Sequence, residues 1–195
     1  MPDRTAERII QIASSFPNSS VVNDFINRAK EEKLTRDENP KSHLCVYFAG
    51  YDKDTKRVFI GHHKKSGLYL FNGGHIDEGE IPEEALEREM GEEWGIKIKL
   101  EDIGEPKLLT ITPIDNPTKL KCKKHFDVWF FVPLSESTFK PDQDLLATEF
   151  HKTMWVSIDE ARKLITDEST LLAIDEFEKI FNNEIFWKHQ AKTGL

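Results

Sequence analysis

Three glutamates stand at positions 89, 92 and 93, spaced i, i+3 and i+4. On a helix that spacing puts all three carboxylates on one face, close to one another. Like charges so placed destabilise an isolated helix by a few tenths of a kcal/mol per pair, so a compensating cation is expected. A cluster of hard oxygen donors suits Mg²⁺, with Mn²⁺ as a substitute. The setting strengthens the case. Between Gly74 and Ile96 lie nine acidic residues and one base, Arg88. The chain has 35 acidic and 27 basic side chains; removing nine and one leaves 26 of each. The whole net charge of −8 therefore sits in one segment. Such a block opposes a nucleic-acid backbone binding there unaided. The plainer alternative is a solvated acidic helix face.

The spacing predicts a helix at the centre of this segment. Pro82 suits its first position, where a missing N–H costs nothing. Glu83 and Glu84 follow in the first turn, where the helix dipole favours negative charge. Gly95 suits the terminating position. Leu86 and Met90 define a separate stripe for the core, and Arg88 can brace a carboxylate through a two-pronged ion pair. Ile81 falls at the N-cap, where Ser, Thr or Asp is usual.

The run of Gly74, five residues, Glu80, seven residues, Arg88-Glu89-Met90, one residue, Glu92-Glu93, one residue, Gly95-Ile96 resembles the complete Nudix box, here residues 74–96. Asp77 is not followed by the alternating ligands of an EF-hand loop, which excludes that reading. The resemblance extends over about residues 40–165, through HHKKSGLYLFNGGHID and HFDVWFFVPL to EFHKTMWVSIDEA. Asn72 departs from it, standing where a proline is common.

The resemblance implies a metal-dependent hydrolase of nucleoside diphosphates linked to another group. It makes Glu89, Glu92, Glu93 and the Gly74 carbonyl the metal ligands. Glu89 or Glu93 would deprotonate or position the attacking water. Glu80 and Arg88 would hold the loop and helix in register. Glu149, six residues before Trp155, is a further metal-ligand candidate by the same resemblance. The substrate would be a small nucleotide: a nucleoside triphosphate, a nucleotide-sugar such as ADP-ribose, or a dinucleoside polyphosphate. A non-catalytic nucleotide-binding module is the alternative, and an isoprenoid isomerase is disfavoured by the intact glutamates.

Other residues carry weaker signals. His62, His63, Lys64 and Lys65 form a basic turn, and Lys64 is read as a phosphate contact against the alternative of a solvated turn. His125 and Asp127 are two apart on a strand, hence on one face, and are read as lining a substrate cleft or as a buried polar pair. Trp129 and Phe131 share that face and are read as core, against the alternative of stacking on a base. His75 is a structural residue or a donor behind the metal ligands. Cys45 is read as buried and inert. Phe181, Phe186 and Trp187 are read as packing of the terminal helix.

The elements that position these groups follow from periodicity. Helices are predicted over residues 4–15 and from about 20 to 33, the second capped by Ser20. Strand signals follow at 44–50, 57–61, 68–72, 96–100, 107–114, 126–134 and 154–158. The segments around 50–66, 112–124 and 138–150 are read as loops that choose substrate. A helix begins after Ser157, and a longer one runs over about 168–188. The fold class is α/β or α+β. The resemblance makes it a Nudix-like α/β/α sandwich around a mixed sheet, with N-terminal helices and a long C-terminal helix. Residues 1–43 are read as a helical lead-in packed on a domain at 44–195. Those lead-in helices would cover the sheet, dimerise or close over substrate.

At 195 residues and 22.6 kDa the chain is long enough to bury one core without disulfides. Hydrophobic residues make up 38% and no apolar run reaches the ~18 residues a membrane span needs. The opening residues lack the pattern of a secretory signal. Cys45 and Cys122 match no zinc spacing, so a reducing cytoplasm is expected.

Overall fold

A computed structural model describes residues 3–97, 99–114 and 122–193, with side chains described as far as residue 182. Ile98, residues 115–121 of the expected 112–124 loop, and the side chains of Phe186 and Trp187 lie outside that description.

Two helices open the chain. In α1 (Arg4–Ser15) the Asp3 side chain accepts from the Thr5 amide. In α2 (Ser20–Lys30) the cap is Ser19, which accepts from the Val22 amide; Ser20 is the first helical residue. The strands are β1 (Ser42–Asp52), β2 (Arg57–His63), β3 (Tyr69–Leu70) and β4 (Asn72–His75). After α3 (Pro82–Trp94) and the short α4 (Leu100–Ile103) come β5 (Leu108–Pro113) and β6 (Lys124–Leu134). The chain closes with α5 (Gln143–Glu149), β7 (Phe150–Ser157), α6 (Ile158–Leu164) and α7 (Glu168–Thr193).

Among the described residues, seven strands form one mixed sheet. The path is β3-β2-β1-β6-β5, with β4 also pairing β1 and β7 also pairing β2. The β1–β6 pair is parallel and runs from Ser42 opposite Lys124 to Asp52 opposite Leu134. The other pairs are antiparallel. Strand β1 is thus the spine, flanked by β6 on one edge and by β4 and then β2 on the other.

Alternation along β1 divides the core in two. Leu44, Val46 and Phe48 face a cluster with Ile9, Ile12, Phe25, Leu86, Met90 and Trp94. Ala49, Trp129 and Phe131 face the other side, against Ile174, Phe177 and Phe181 of α7. The layers are therefore helix, sheet and helix, as the resemblance implies. The N-terminal helices share the first cluster, with Phe25 edge-on to Phe126 at 5.2 Å.

Three further local expectations fail. IKIKL, read as a strand, enters no ladder among the described residues; its last residue opens α4. Ile96 and Leu100 pack into the first core cluster, which satisfies the apolar positions without a strand partner. The 138–150 segment, read as a loop, contains α5, capped by Asp142 through the Asp144 and Leu145 amides. In the 50–66 segment, residues 57–63 belong to β2.

Candidate active site

Helix α3 starts and stops where its punctuation demands. Pro82 fills the first position and Gly95 takes φ 67°, a left-handed conformation that glycine adopts without a Cβ clash. The apolar N-cap is explained by Glu84, whose Oε2 accepts from the Ile81 amide at 3.1 Å. That bond is the N3-to-N-cap half of a capping box; the other half needs a polar side chain that Ile81 lacks.

Arg88 organises the acidic segment. Its Nε and Nη2 donate to the two oxygens of Glu80, each at 2.9 Å. Nη1 donates to Glu89 Oε1 at 2.8 Å, and Nη2 also donates to the His75 carbonyl at 2.9 Å. Glu80 in turn accepts from the Asp77 amide at 3.0 Å. One guanidinium therefore joins the loop, the end of β4 and the helix. The fork beside Arg88 holds the Glu80 carboxyl below its ordinary range.

The three glutamates predicted as ligands occupy different environments. Glu89 is largely buried, which raises its carboxyl above the ordinary range despite Arg88. A Cβ on Gly74 would lie 2.0 Å from Glu89 Oε1, so only glycine lets this carboxylate lie against the β4 backbone. Glu93 is 7% exposed, and burial pushes it up to about 8. The Asn72 amide donates to it, while the charges of Glu89 and Glu149 push in the same direction as burial. Glu92 is the outermost, with its side chain 61% exposed and Arg88 Nη1 at 3.5 Å.

Glu149 ends α5 and adjoins β7. It pairs with Lys65 at 2.8 Å and lies 3.6 Å from His63 Nε2. Its charge adds to the upward push on the Glu93 carboxyl. Lys64 lies beside it, but its ammonium donates to the Ala147 carbonyl at the end of α5. Asp127 is fully buried, accepts from Thr110 at 3.1 Å and from Thr112, and is pushed up to about 7 by burial. His125 stands opposite Thr112 in the β5–β6 register, with His43 at 4.8 Å and His75 at 5.5 Å between ring centroids. Burial lowers all three imidazoles below the ordinary histidine range. Trp129 is 1% exposed, stacks on Tyr47 at 4.3 Å and donates to Thr110, so it is core.

Sequence reasoning missed Asn72 and the grouping of His43 and Cys45 with His75 and His125. The polar residue in the position where a proline is common was the signal for Asn72. The donor set fits a divalent ion of the Mg²⁺ class: it is all oxygen, and the donors to buried Glu93, the Asn72 side-chain amide and the Gly73 backbone N–H, are both neutral. A cation would offset a charge that burial otherwise disfavours.

No helix among the described residues is long and apolar enough to cross a membrane. A NUDIX domain model matches residues 39–174. No curated protein matches the chain at a significant level. Among solved structures, a NUDIX-family hydrolase from Clostridium perfringens superposes with TM-score 0.53 at 22% identity, covering 71% of this chain and 97% of that one. The NUDIX domain of Shewanella oneidensis NrtR, solved with ADP ribose, gives 0.53 at 17% identity, covering 70% and 86%. The dihydroneopterin triphosphate pyrophosphohydrolase of E. coli gives 0.50 at 21% identity, covering 69% and 93%. These likenesses describe the fold, whereas the domain match takes in the sheet and the whole acidic segment. On that match the chain belongs to the Nudix hydrolase family.

Proposed function

We propose that the protein is a Mg²⁺-dependent pyrophosphohydrolase of small nucleotides, cleaving a nucleoside diphosphate from a further linked group by attack of water on phosphorus. The observation that carries this reading is the Arg88 fork, which joins Glu80 to Glu89, with Glu89 against the Gly74 backbone and Glu93 buried on the same helix. Glu89, Glu92, Glu93 and the Gly74 carbonyl would hold the metal, and Glu149 would add a carboxylate from α5. Bound divalent ions neutralise phosphate oxygens and acidify a coordinated water.

The chain's own residues supply the rest. Arg88 keeps Glu89 oriented and prevents it from rotating away. Burial alone favours the protonated form of Glu93, so Glu93 would take a proton from the attacking water only with a cation beside it holding the carboxylate ionised. Glu89 is the other candidate for that role. The Asn72 amide holds Glu93 towards β4. Of the expected substrate contacts, Lys64 adjoins Glu149 with its ammonium on the Ala147 carbonyl, Asp127 is fully buried, and His125 is grouped with His43 and His75.

The substrate class takes in nucleoside triphosphates, nucleotide-sugars and dinucleoside polyphosphates. The ADP ribose in the NrtR structure makes ADP-ribose the first compound to assay. The unpaired thiols of Cys45 and Cys122 accord with a cytoplasmic location. The test is incubation with Mg²⁺ and a nucleotide panel, with both products identified by chromatography. Turnover that is abolished in Glu92→Gln and Glu93→Gln supports the reading. Full activity in both variants overturns it, as does tight nucleotide binding without turnover, which would identify a regulatory module.

A further inference from the structure

A second constellation lies on the α7 face of the sheet. In the parallel β1–β6 register His43 stands opposite His125, and in the antiparallel β1–β4 register Cys45 stands opposite His75. His43 and Cys45 are two apart on β1, so all four side chains rise from one face of three adjacent strands. One ligand atom from each lies within 4.8 Å of all the others. Ligands of a tetrahedral zinc ion sit about 3.3–3.8 Å apart, given Zn–N and Zn–S bonds of about 2.0–2.3 Å. A contraction of roughly 1 Å, within reach of side-chain rotation, would close the set.

Two details point to a missing ligand. Both ring nitrogens of His125 are buried without a hydrogen-bond partner in the structure. A buried imidazole with neither nitrogen satisfied is costly, and a metal on one of them removes part of that cost. His43 Nδ1 lies 3.3 Å from the Asn39 carbonyl, which places the ring proton there and leaves the lone pair on Nε2. That Nε2 lies 3.8 Å from the Cys122 sulfur, on the side of the ring away from Asn39.

We propose that His43, Cys45, His75 and His125 form a second metal site, chemically distinct from the glutamate centre, which takes Zn²⁺ or a similar borderline-soft divalent ion. Three imidazoles and a thiolate select such ions, whereas the all-oxygen glutamate set selects Mg²⁺. On binding, the Cys45 thiol gives its proton to solvent as the sulfur–metal bond forms. The site ties β4 to β1 and β6. The His75 carbonyl already receives Arg88 Nη2, so a metal on the His75 ring would pin both sides of the residue that leads into the box loop.

The test uses the full chain, stripped with chelator and titrated with Co²⁺ alone. The expected result is a near-ultraviolet sulfur-to-cobalt charge-transfer band that saturates at one equivalent and is bleached by Zn²⁺. The band should persist in Glu92→Gln and in Cys122→Ser and vanish in Cys45→Ser. His125→Ala, at a partly exposed position, should weaken Co²⁺ binding by roughly 100-fold while circular dichroism stays unchanged. Zn²⁺ should raise the Tm of the parent and not that of His125→Ala. Absence of the thiolate band overturns the proposal. So does a band that follows Cys122, or Co²⁺ binding that is lost with Glu92→Gln and kept with His125→Ala. Because none of these readouts is activity, failure here leaves the hydrolase reading standing.

Discussion

Arg88 grips Glu80 with two nitrogens on two oxygens, each bond 2.9 Å long, and uses a third nitrogen on Glu89. Lysine keeps the charge but has no planar fork, so Arg88→Lys can satisfy one of these partners at a time. The expected outcome is a fall in kcat of about 100-fold, the scale of a misplacement of about 1 Å, with KM changed far less. Glu80→Gln retains one acceptor oxygen and should fall less, by about 10-fold. Steady-state kinetics on the two variants checks both, and equal activity in Arg88→Lys and the parent would show that the fork does not position the site.

Gly74 and Gly91 make a contrasting pair. A Cβ at Gly74 would meet Glu89 Oε1 at 2.0 Å, whereas one at Gly91 meets nothing within 4 Å. Gly74→Ala should displace the Glu89 carboxylate, weaken Mn²⁺ binding measured by electron paramagnetic resonance, and lower kcat by about 100-fold. Gly91→Ala lies within α3 at ordinary helical φ and should stabilise the chain by about 0.5–1 kcal/mol without changing activity. Thermal melts and assays on both variants separate close approach from helix propensity.

The parts of the molecule legible in the sequence are those whose information is local. Helix α3 carries its own stop signals in Pro82 and Gly95 and its own core stripe in Leu86 and Met90. The runs that became β5 and β6 are apolar enough to admit few other readings. IKIKL misled because alternation fits either a strand or an irregular segment whose apolar residues happen to pack, as Ile96 and Leu100 do. Helix α5 was hidden because only Asp142 announces it, and a single cap residue is weak evidence. The group formed by His43, Cys45, His75 and His125 could not be seen at all. It depends on two strand registers, one parallel and one antiparallel, meeting on β1. The Asn72–Glu93 contact likewise joins β4 to the end of α3, a distance that periodicity does not report.

The N-terminal helix is fastened to the acidic helix by charge. Arg8 Nε donates to Glu83 at 2.8 Å, and Arg8 also pairs with Glu105 at 2.6 Å. The pair with Glu83 is mostly sheltered, with side chains 24% and 16% exposed. Arg8→Ala would strand a carboxylate that already has one oxygen buried without a partner. The expected cost is about 1–3 kcal/mol, read as a lower urea midpoint. Arg8→Ala/Glu83→Ala together should cost less than the sum of the single changes. Additive losses would mean that the two side chains act independently.

Asp52 gives the pH dependence that is simplest to predict. It is buried at the end of β1, where Oδ1 accepts from the Asp54 amide at 2.8 Å and the Thr55 amide at 3.0 Å, and Oδ2 accepts from the Glu136 amide at 2.6 Å. Burial alone would raise its carboxyl, but these backbone donors outweigh it and hold the group below its ordinary range. A carboxyl depressed in the folded state binds its proton more readily when unfolded. Its stabilisation is therefore complete above the unfolded value, near 4, and is lost as pH falls through the lower folded value. Asp52→Asn should destabilise the protein by about 1–3 kcal/mol at pH 7, because an amide cannot accept at both ends. The difference from the parent should shrink as pH falls below about 4, where the unfolded chain takes up the proton first, and level off once the folded carboxyl is protonated too. Urea unfolding of both proteins at a series of pH values measures that difference, and a gap that stays constant down to pH 2 would show that charge on Asp52 contributes nothing.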